Sequence, residues 1–188
     1  MFLKFLFQHL ETRFLLILGL WKVFLEVHGS NLIHHFFNIM HARLACESDS
    51  KDVFVWRNDF ITRKSFFEKS YVEWETHLAW FNKKLSDPSS KMIIIEVDKE
   101  KVGIVRYDRD NSKFLVSINT NPNHRGKGYS SQMLLESEYF LCKEKKPVQL
   151  NAEILNENLL SKKTFLKAGY EFSHEKKEYS CFIKELSL

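Results

Sequence analysis

Hydrophobic and polar positions alternate along residues 42–188 with the periods of a mixed helix and strand domain. The apolar residues Trp74, Leu78, Phe81 and Leu85 recur at helical spacing, which predicts a helix over residues 72–85. Two apolar runs, 92–97 and 102–107, flank a polar turn and predict a hairpin. Strands are also predicted at 43–46, 113–120 and 148–155, helices from Ser48 or Asp49 and over 130–143 and 158–168, and a closing hairpin around 173–177. The predicted order is β-α-α-β-β-β-α-β-α-β-β.

Residues 1–41 have a different pattern, dense in Phe, Leu and Ile, and are predicted to be an apolar helical extension. Charged residues interrupt the pattern, and its longest apolar run, 14–21, falls short of the roughly 20 residues that a membrane-spanning helix needs. No small-x-small cleavage site follows it, which argues against a signal peptide. We favour a helix that packs on the domain or on a partner. The alternatives are a membrane-surface helix over 1–27 and a remnant of an upstream module.

Length and composition narrow the class of protein. The 188 residues suit one domain, 42–188, plus the extension. The balance of 28 Lys+Arg against 24 Asp+Glu gives a net charge of +4, too mild to predict a nucleic-acid partner. The 3 cysteines lack any Cys-x-x-Cys spacing, so we expect no disulfide framework, no metal site and a reducing cytoplasm.

The segment 121–130 predicts an anion-binding loop between a strand and a helix. The first N–H groups of a helix are unpaired and lie at the positive end of its dipole. Gly126 and Gly128 would let a phosphate approach the backbone, while Arg125 and Lys127 would add positive charge. An ordinary turn with solvated basic residues is the alternative.

A second motif lies further along the chain, at 158–170. Asn158 can cap a helix, Ser161 and Phe165 lie on one face of it, and Gly169 allows a left-handed exit. The ordinary signals that begin and end a helix would explain each of these residues alone.

Together these motifs, Arg125-x-x-Gly128-x-Ser130 and Asn158-x-x-Ser161-x-x-x-Phe165-x-x-x-Gly169-Tyr170, resemble those of the GNAT superfamily of N-acetyltransferases, and so does the element order. The resemblance implies an α/β (α+β) fold, with a mixed, mostly antiparallel sheet whose splayed central strands are flanked by helices. It also implies an enzyme that moves the acetyl group of acetyl-CoA to a primary amine without a metal. Ser130 stands where the family has Gly or Ala.

The resemblance assigns site residues as well. Predicted coenzyme-binding residues are Ile118, Asn119, Thr120, Arg125, Gly126, Lys127, Gly128, Tyr129, Ser130, Asn158, Ser161 and Phe165. Glu153 is the first candidate for the base that deprotonates the amine, and His124 is the second. Phe165 lacks the hydroxyl of the family's usual tyrosine, so Tyr129, Tyr139 or water would have to protonate the thiolate.

The acceptor is suggested by two further segments, Trp56-Arg57-Asn58-Asp59 and Glu75-x-His77-x-x-Trp80-Phe81. They resemble a subgroup that acetylates nucleotide-linked amino sugars in pseudaminic-acid-type polysaccharide pathways. In that interpretation Arg57 binds a diphosphate, Asn58 and His77 bind sugar hydroxyls, and Trp80 or Trp56 stacks on a ring. The alternatives are a protein or peptide N-acetyltransferase, a non-catalytic acetyl-CoA-binding module, and tryptophans that only fill the core.

Overall fold

The computed structural model describes residues 40–141 and 147–186, which belong to one compact unit, Met40–Leu188. The predictions for residues 1–41 lie outside the described residues, except for the last two positions. The strands are β1 (Met40–Leu44), β2 (Ser90–Val97), β3 (Glu100–Asp110), β4 (Lys113–Thr120), β5 (Val148–Leu155), β6 (Glu171–Glu175) and β7 (Tyr179–Leu186). The helices are α1 (Ser50–Asn58), α2 (Phe60–Lys64), α3 (Trp74–Ser86), α4 (Tyr129–Glu138) and α5 (Leu159–Lys167), with 3-10 turns at Glu47–Asp49, Pro122–His124 and Tyr139–Leu141.

One seven-stranded sheet runs in the order β1-β2-β3-β4-β5-β7-β6. Every neighbouring pair is antiparallel except β4 and β5. These two parallel strands are paired only from Lys113 with Gln149 to Leu115 with Asn151, and beyond that point they separate. The predicted fold, with its splayed central strands, is confirmed.

The two faces of the sheet are covered by different helices, which explains the continuous apolar run of β2. Ile93 and Ile95 join the larger core cluster together with Met133 and Leu134 of α4. Ile94, between them, joins a second cluster with Phe81 of α3 and side chains of α1. Because successive side chains point to opposite faces, a strand buried on both sides has no polar alternation.

Several elements differ from the sequence prediction. Helix α2 was not predicted. It forms because Asp59 caps it by accepting a hydrogen bond from the Thr62 amide (2.9 Å). Helix α4 ends at Glu138 and continues as a 3-10 turn rather than reaching residue 143. Strand β1 begins at Met40, before the predicted residue 43.

Other predicted features agree with the structure. Asn158 caps α5 through the Ser161 amide (3.0 Å), and Gly169 leaves the helix with φ of +85°. Trp56 is buried in the second core cluster, as its core interpretation predicted. Across 40–141 and 147–186 we find no helix with the length and apolar content to span a membrane.

Candidate active site

The separation of β4 from β5 opens a cavity of about 230 Å³ in the middle of the sheet, which we call the splay cavity. Its wall from β4 is Leu115 to Ile118, and its opposite wall includes Glu153 of β5 and Phe165 of α5. Beyond Leu115, β4 remains paired with β3 on one side but is no longer paired with β5 on the other. This second edge of β4 presents backbone donors and acceptors to the cavity. An extended ligand with amide groups can add to such an edge as a further strand does.

The predicted anion-binding loop lies beside this opening. Gly126 and Gly128 have φ of +76° and +78°, a conformation that disfavours other residues, and Gly128 is the N-cap of α4. A Cβ at either position would meet nothing within 4 Å, so the space beside the loop is open. The Ser130 hydroxyl lies 3.1 Å from that of Thr120, joining the start of α4 to the end of β4.

Both glycines and Ser130 line a second cavity, of about 420 Å³, which we call the nucleotide cavity after the coenzyme that the sequence predicts there. Ile118, Asn158 and Ser161 line this cavity and the splay cavity alike. The two therefore form one continuous cleft from the splayed strands to the N-terminus of α4.

The basic residues of the loop do not both face that cleft. Arg125 lines the nucleotide cavity, but its guanidinium donates to the carboxylate of Asp59 and to the hydroxyl of Thr62. The hydrogen bond from Arg125 lowers the pKa of Asp59, which keeps this carboxylate ionised. Lys127 instead lies in a separate groove next to Glu100, where its Nζ is 3.3 Å from Nδ1 of His124. Tyr129 lines none of the cavities described here.

A third cavity, of about 330 Å³, opens between α1, α3 and the strands β3 and β4. We call it the acceptor cavity. It shares Phe66, Arg106 and Ser117 with the splay cavity, and Asn119 with the nucleotide cavity. The three cavities therefore meet at β4, at residues 117–119.

Two guanidinium groups line the acceptor cavity. Nη2 of Arg57 donates to the Glu68 carbonyl (2.7 Å), while Nη1 is buried without a hydrogen-bond partner. Burial lowers the pKa of Arg57. Arg106 lies over the Trp80 ring, 5.2 Å from its centroid, and pairs with Asp108 (2.7 Å). Among the described residues, no aspartate or glutamate lines this cavity.

Comparison with known proteins places the chain in a family. The model of the Acetyltransferase (GNAT) family matches residues 53–170, which is more than half of the sequence. The chain belongs to the GNAT family of acetyltransferases. This membership confirms the predicted activity, which is N-acetyl transfer with acetyl-CoA as co-substrate.

Solved structures share the GNAT fold at low sequence identity. Aminoglycoside acetyltransferase AAC(6')-Ib in complex with coenzyme A matches with a TM-score of 0.67 and 14% identity, over 78% of this chain and 94% of that one. Spermidine N-acetyltransferase from Vibrio cholerae, in complex with CoA and spermine, matches with a TM-score of 0.63 and 16% identity, over 78% and 94%. A domain from Methanocaldococcus jannaschii matches with a TM-score of 0.62 and 21% identity, over 79% and 99%. No curated protein matches the sequence.

The residues predicted to bind the acceptor occupy different positions in this GNAT domain. Arg57, His77 and Trp80 line the acceptor cavity, whereas Asn58 does not. Both polar atoms of the Asn58 amide bond the backbone of Val72, each at 2.9 Å. Asn58 thus holds the segment between α2 and α3 in place.

His77 is almost completely buried, at 2% exposure. Its Nε2 lies 2.9 Å from the Ser50 carbonyl oxygen, which can only accept, so Nε2 carries the proton. Burial lowers the pKa of His77 and keeps the ring neutral.

Of the residues predicted to move protons, Glu153 lines the splay cavity and His124 does not. Nε2 of His124 lies 3.3 Å from the Glu100 carboxylate, in the groove that also contains Lys127. Tyr139 is 75% exposed and lies near the β1 end of the sheet, in a groove that contains Leu44. Neither tyrosine that was expected to substitute for the missing hydroxyl at Phe165 therefore lines the splay cavity.

Sequence reasoning missed Asp59, Phe66, Arg106 and Ser117. Arg106 carried a usable signal, because it interrupts the otherwise apolar core of β3, where an unpaired charge is costly. Asp59 belongs to the segment 56–59, but only the fold brings it to Arg125. Phe66 and Ser117 lie in ordinary sequence contexts, and only the fold brings them to the cleft.

Proposed function

We propose that this enzyme transfers the acetyl group of acetyl-CoA to the primary amine of a nucleotide-linked amino sugar. The observation that carries the proposal is the acceptor cavity, which has Arg57, Arg106 and Trp80 in its lining and no aspartate or glutamate among the described residues there. The two free cysteines that are described, Cys46 and Cys181, suit the reducing cytoplasm in which we place the reaction.

Charge argues against polycationic acceptors. The aminoglycoside and polyamine acetyltransferases share the fold, but amine-rich ligands such as spermine carry several positive charges at neutral pH. Arg57 lines this cavity, as does the guanidinium of the Arg106–Asp108 ion pair, and no described carboxylate faces it, so the lining disfavours such molecules. Repulsion discriminates between ligands as effectively as attraction does. An acceptor that brings its own negative charge suits this cavity better.

Arg57 gives the anion a definite place. A buried donor without a partner costs roughly 1–3 kcal/mol, and Nη1 of Arg57 is such a donor. A rotation of the Arg57 side chain within the cavity that it lines would bring this nitrogen to a phosphate oxygen of the acceptor, since a guanidinium matches the geometry of phosphate. The Trp80 ring, in the same cavity, can stack on the sugar or on the base.

The proposed reaction takes place where the three cavities meet. The pantetheine arm pairs with the exposed edge of β4, and a backbone N–H at 118–120 polarises the thioester carbonyl and stabilises the oxyanion. The acceptor amine enters from the acceptor cavity and must be neutral, because an ammonium has no lone pair. Glu153 takes its proton through water.

Each bond that forms in this reaction is matched by one that breaks. A new C–N bond forms at the acetyl carbon, the C–S bond of the thioester breaks, and the pair of electrons leaves with sulfur. A thiol has a pKa of about 8.5, so coenzyme A can leave as the thiolate and be protonated by water. No tyrosine hydroxyl is required at Phe165, whose ring packs edge-on against Tyr170 with centroids 4.9 Å apart.

The test measures thiol release from acetyl-CoA with a panel of acceptors. The panel contains nucleotide-linked 4-amino sugars, the same amino sugars without the nucleotide, spermidine, an aminoglycoside and peptides with free N-termini. We expect turnover with the nucleotide-linked sugars and an acceptor KM that is at least about tenfold higher without the nucleotide. Turnover confined to peptides, confined to polyamines or absent with every amine would overturn the proposal.

Two variants locate the effect. Arg57→Gln should raise the acceptor KM about tenfold or more and leave the KM of acetyl-CoA unchanged, because the acceptor is the one substrate proposed to contact this guanidinium. Arg109→Gln is the matched control, since Arg109 lies over Phe114 and outside the acceptor cavity. Equal effects of the two substitutions would contradict a specific role for Arg57.

A further inference from the structure

Helix α5 presents a basic face to the nucleotide cavity. Leu160, Lys163, Thr164 and Lys167 line it, at the three- and four-residue spacing that places side chains on one side of a helix. The same cavity contains Gly126, Gly128 and Ser130 of the loop at the start of α4. The two lysines are therefore in the cleft that holds the coenzyme, although neither belongs to a predicted coenzyme motif.

The charge balance of the cavity makes these lysines important. Coenzyme A carries a pyrophosphate and a separate 3′-phosphate, and both need positive charge. Of the two loop residues expected to supply it, Arg125 is paired with Asp59 and Lys127 lies in another groove. Among the described residues that line the nucleotide cavity, there is no carboxylate, and no ion pair is formed by Lys163 or Lys167.

The position of the lysines along the cleft indicates which phosphate they meet. Ser161 lines both the splay cavity and the nucleotide cavity, so this end of α5 lies beside the thioester arm. Lys167 lies six residues further along the helix, which corresponds to about 9 Å at a rise of 1.5 Å per residue. The backbone amides at the start of α4 suit the pyrophosphate, which leaves the lysines for the group beyond it.

We infer that Lys163 and Lys167 form a binding subsite for the 3′-phosphate of coenzyme A, through which the enzyme distinguishes the coenzyme from dephospho-coenzyme A. The inference depends on the coenzyme and not on the identity of the acceptor. Both ammonium groups are at the surface, so they act as solvated point charges, and their contribution decreases as salt screens it.

The experiment is a calorimetric titration of coenzyme A and dephospho-coenzyme A into three forms of the full chain. They are the wild type, the double variant Lys163→Ala/Lys167→Ala, and Lys162→Ala. Lys162 is the matched control, because it lies on α5 but does not line the nucleotide cavity. Thermal melts and the affinity for dephospho-coenzyme A report on whether the variants fold.

We expect the wild type to bind coenzyme A about tenfold more tightly than dephospho-coenzyme A at low salt. The double variant should bind the two within about twofold of each other and keep the wild-type affinity for dephospho-coenzyme A. Lys162→Ala should retain the preference. Raising the salt concentration should reduce the preference of the wild type towards that of the double variant.

Three results would overturn the inference. Equal binding of the two ligands by the wild type would mean that no 3′-phosphate subsite exists. Equal weakening of both ligands in the double variant would place the lysines on the pyrophosphate. A loss of preference in Lys162→Ala as large as that in the double variant would indicate only the diffuse charge of α5. All three are independent of the acceptor panel, so they can be distinguished from a failure of the proposed sugar-nucleotide activity.

Discussion

Asp59 and Arg125, which are 66 residues apart in sequence, form an ion pair that joins the predicted anion-binding loop to the start of α2. Asp59 also caps α2, and it lies two residues after Arg57 of the acceptor cavity. The pair therefore fixes this loop against the segment that contributes Arg57 to the acceptor cavity. We expect Arg125 to act on the coenzyme mainly through the position of the loop.

A double-mutant cycle tests this coupling. Asp59→Asn and Arg125→Gln should each weaken coenzyme A binding several-fold, and the double variant should be no weaker than either single variant, because both changes break the same link. Calorimetry measures the affinities. Additive losses would show instead that Arg125 contacts the pyrophosphate directly. The free energy of unfolding should show a coupling of about 0.2–1 kcal/mol, as expected for a partly exposed pair.

Much of the fold could be predicted from the sequence because its signals are local. The apolar runs of β2, β4 and β5, the cap at Asn158 and the glycine at 169 each act through near neighbours along the chain. The predicted limits of β4 and β5 coincide with the observed ones.

The site was less predictable, because its chemistry depends on contacts between distant segments. No local pattern reveals that the carboxylate of Asp59 accepts a hydrogen bond from Arg125, or that the backbone of Val72 bonds the side-chain amide of Asn58. Helix α2 was missed for a related reason, since five residues between polar segments carry little periodic signal. Arg57, His77 and Trp80 do line one cavity, which a resemblance between short motifs had suggested.

Glu153→Gln should reduce kcat by about 100-fold or more, since general base catalysis typically contributes 10²–10⁴-fold. The amide keeps the shape of the side chain but cannot accept the proton. Coenzyme A binding should not change. Glu171→Gln is the control, because Glu171 is an exposed carboxylate on β6, outside the cavities. A kcat within about threefold of the wild type would exclude Glu153 as the base.

Stability should depend on pH through His77. The folded state lowers the pKa of this group, so below its ordinary value of about 6.5 the unfolded chain binds a proton that the folded chain does not. The contribution of His77 is therefore fully present above about pH 6.5 and is lost as the pH falls towards the depressed value. Urea unfolding at several pH values should show this loss in the wild type. His77→Gln should lack it, and an unchanged slope with pH would contradict the assignment.

Gly103→Ala should destabilise the enzyme by about 1–3 kcal/mol, the usual cost of overpacking. A Cβ at this position of β3 would lie 2.6 Å from the Asn119 carbonyl oxygen and 2.4 Å from the end of Met133. To relieve this clash, β4 must move at Asn119, in the part of the strand that is separated from β5. We therefore expect weaker coenzyme A binding together with the lower midpoint of urea unfolding, and the absence of both effects would contradict the packing described.

The central claim, that coenzyme A lies in the cleft between the splayed strands with its pyrophosphate at the start of α4, is tested most directly at Gly128. A side chain there would enter the open space beside the loop, and a glutamate would place negative charge at the proposed pyrophosphate site. The φ of +78° adds a strain of about 1 kcal/mol, which a stable domain tolerates. Calorimetric titration of acetyl-CoA into Gly128→Glu should detect no binding, while circular dichroism shows a folded chain with a cooperative melt. Wild-type affinity in the folded variant would contradict the placement of the coenzyme.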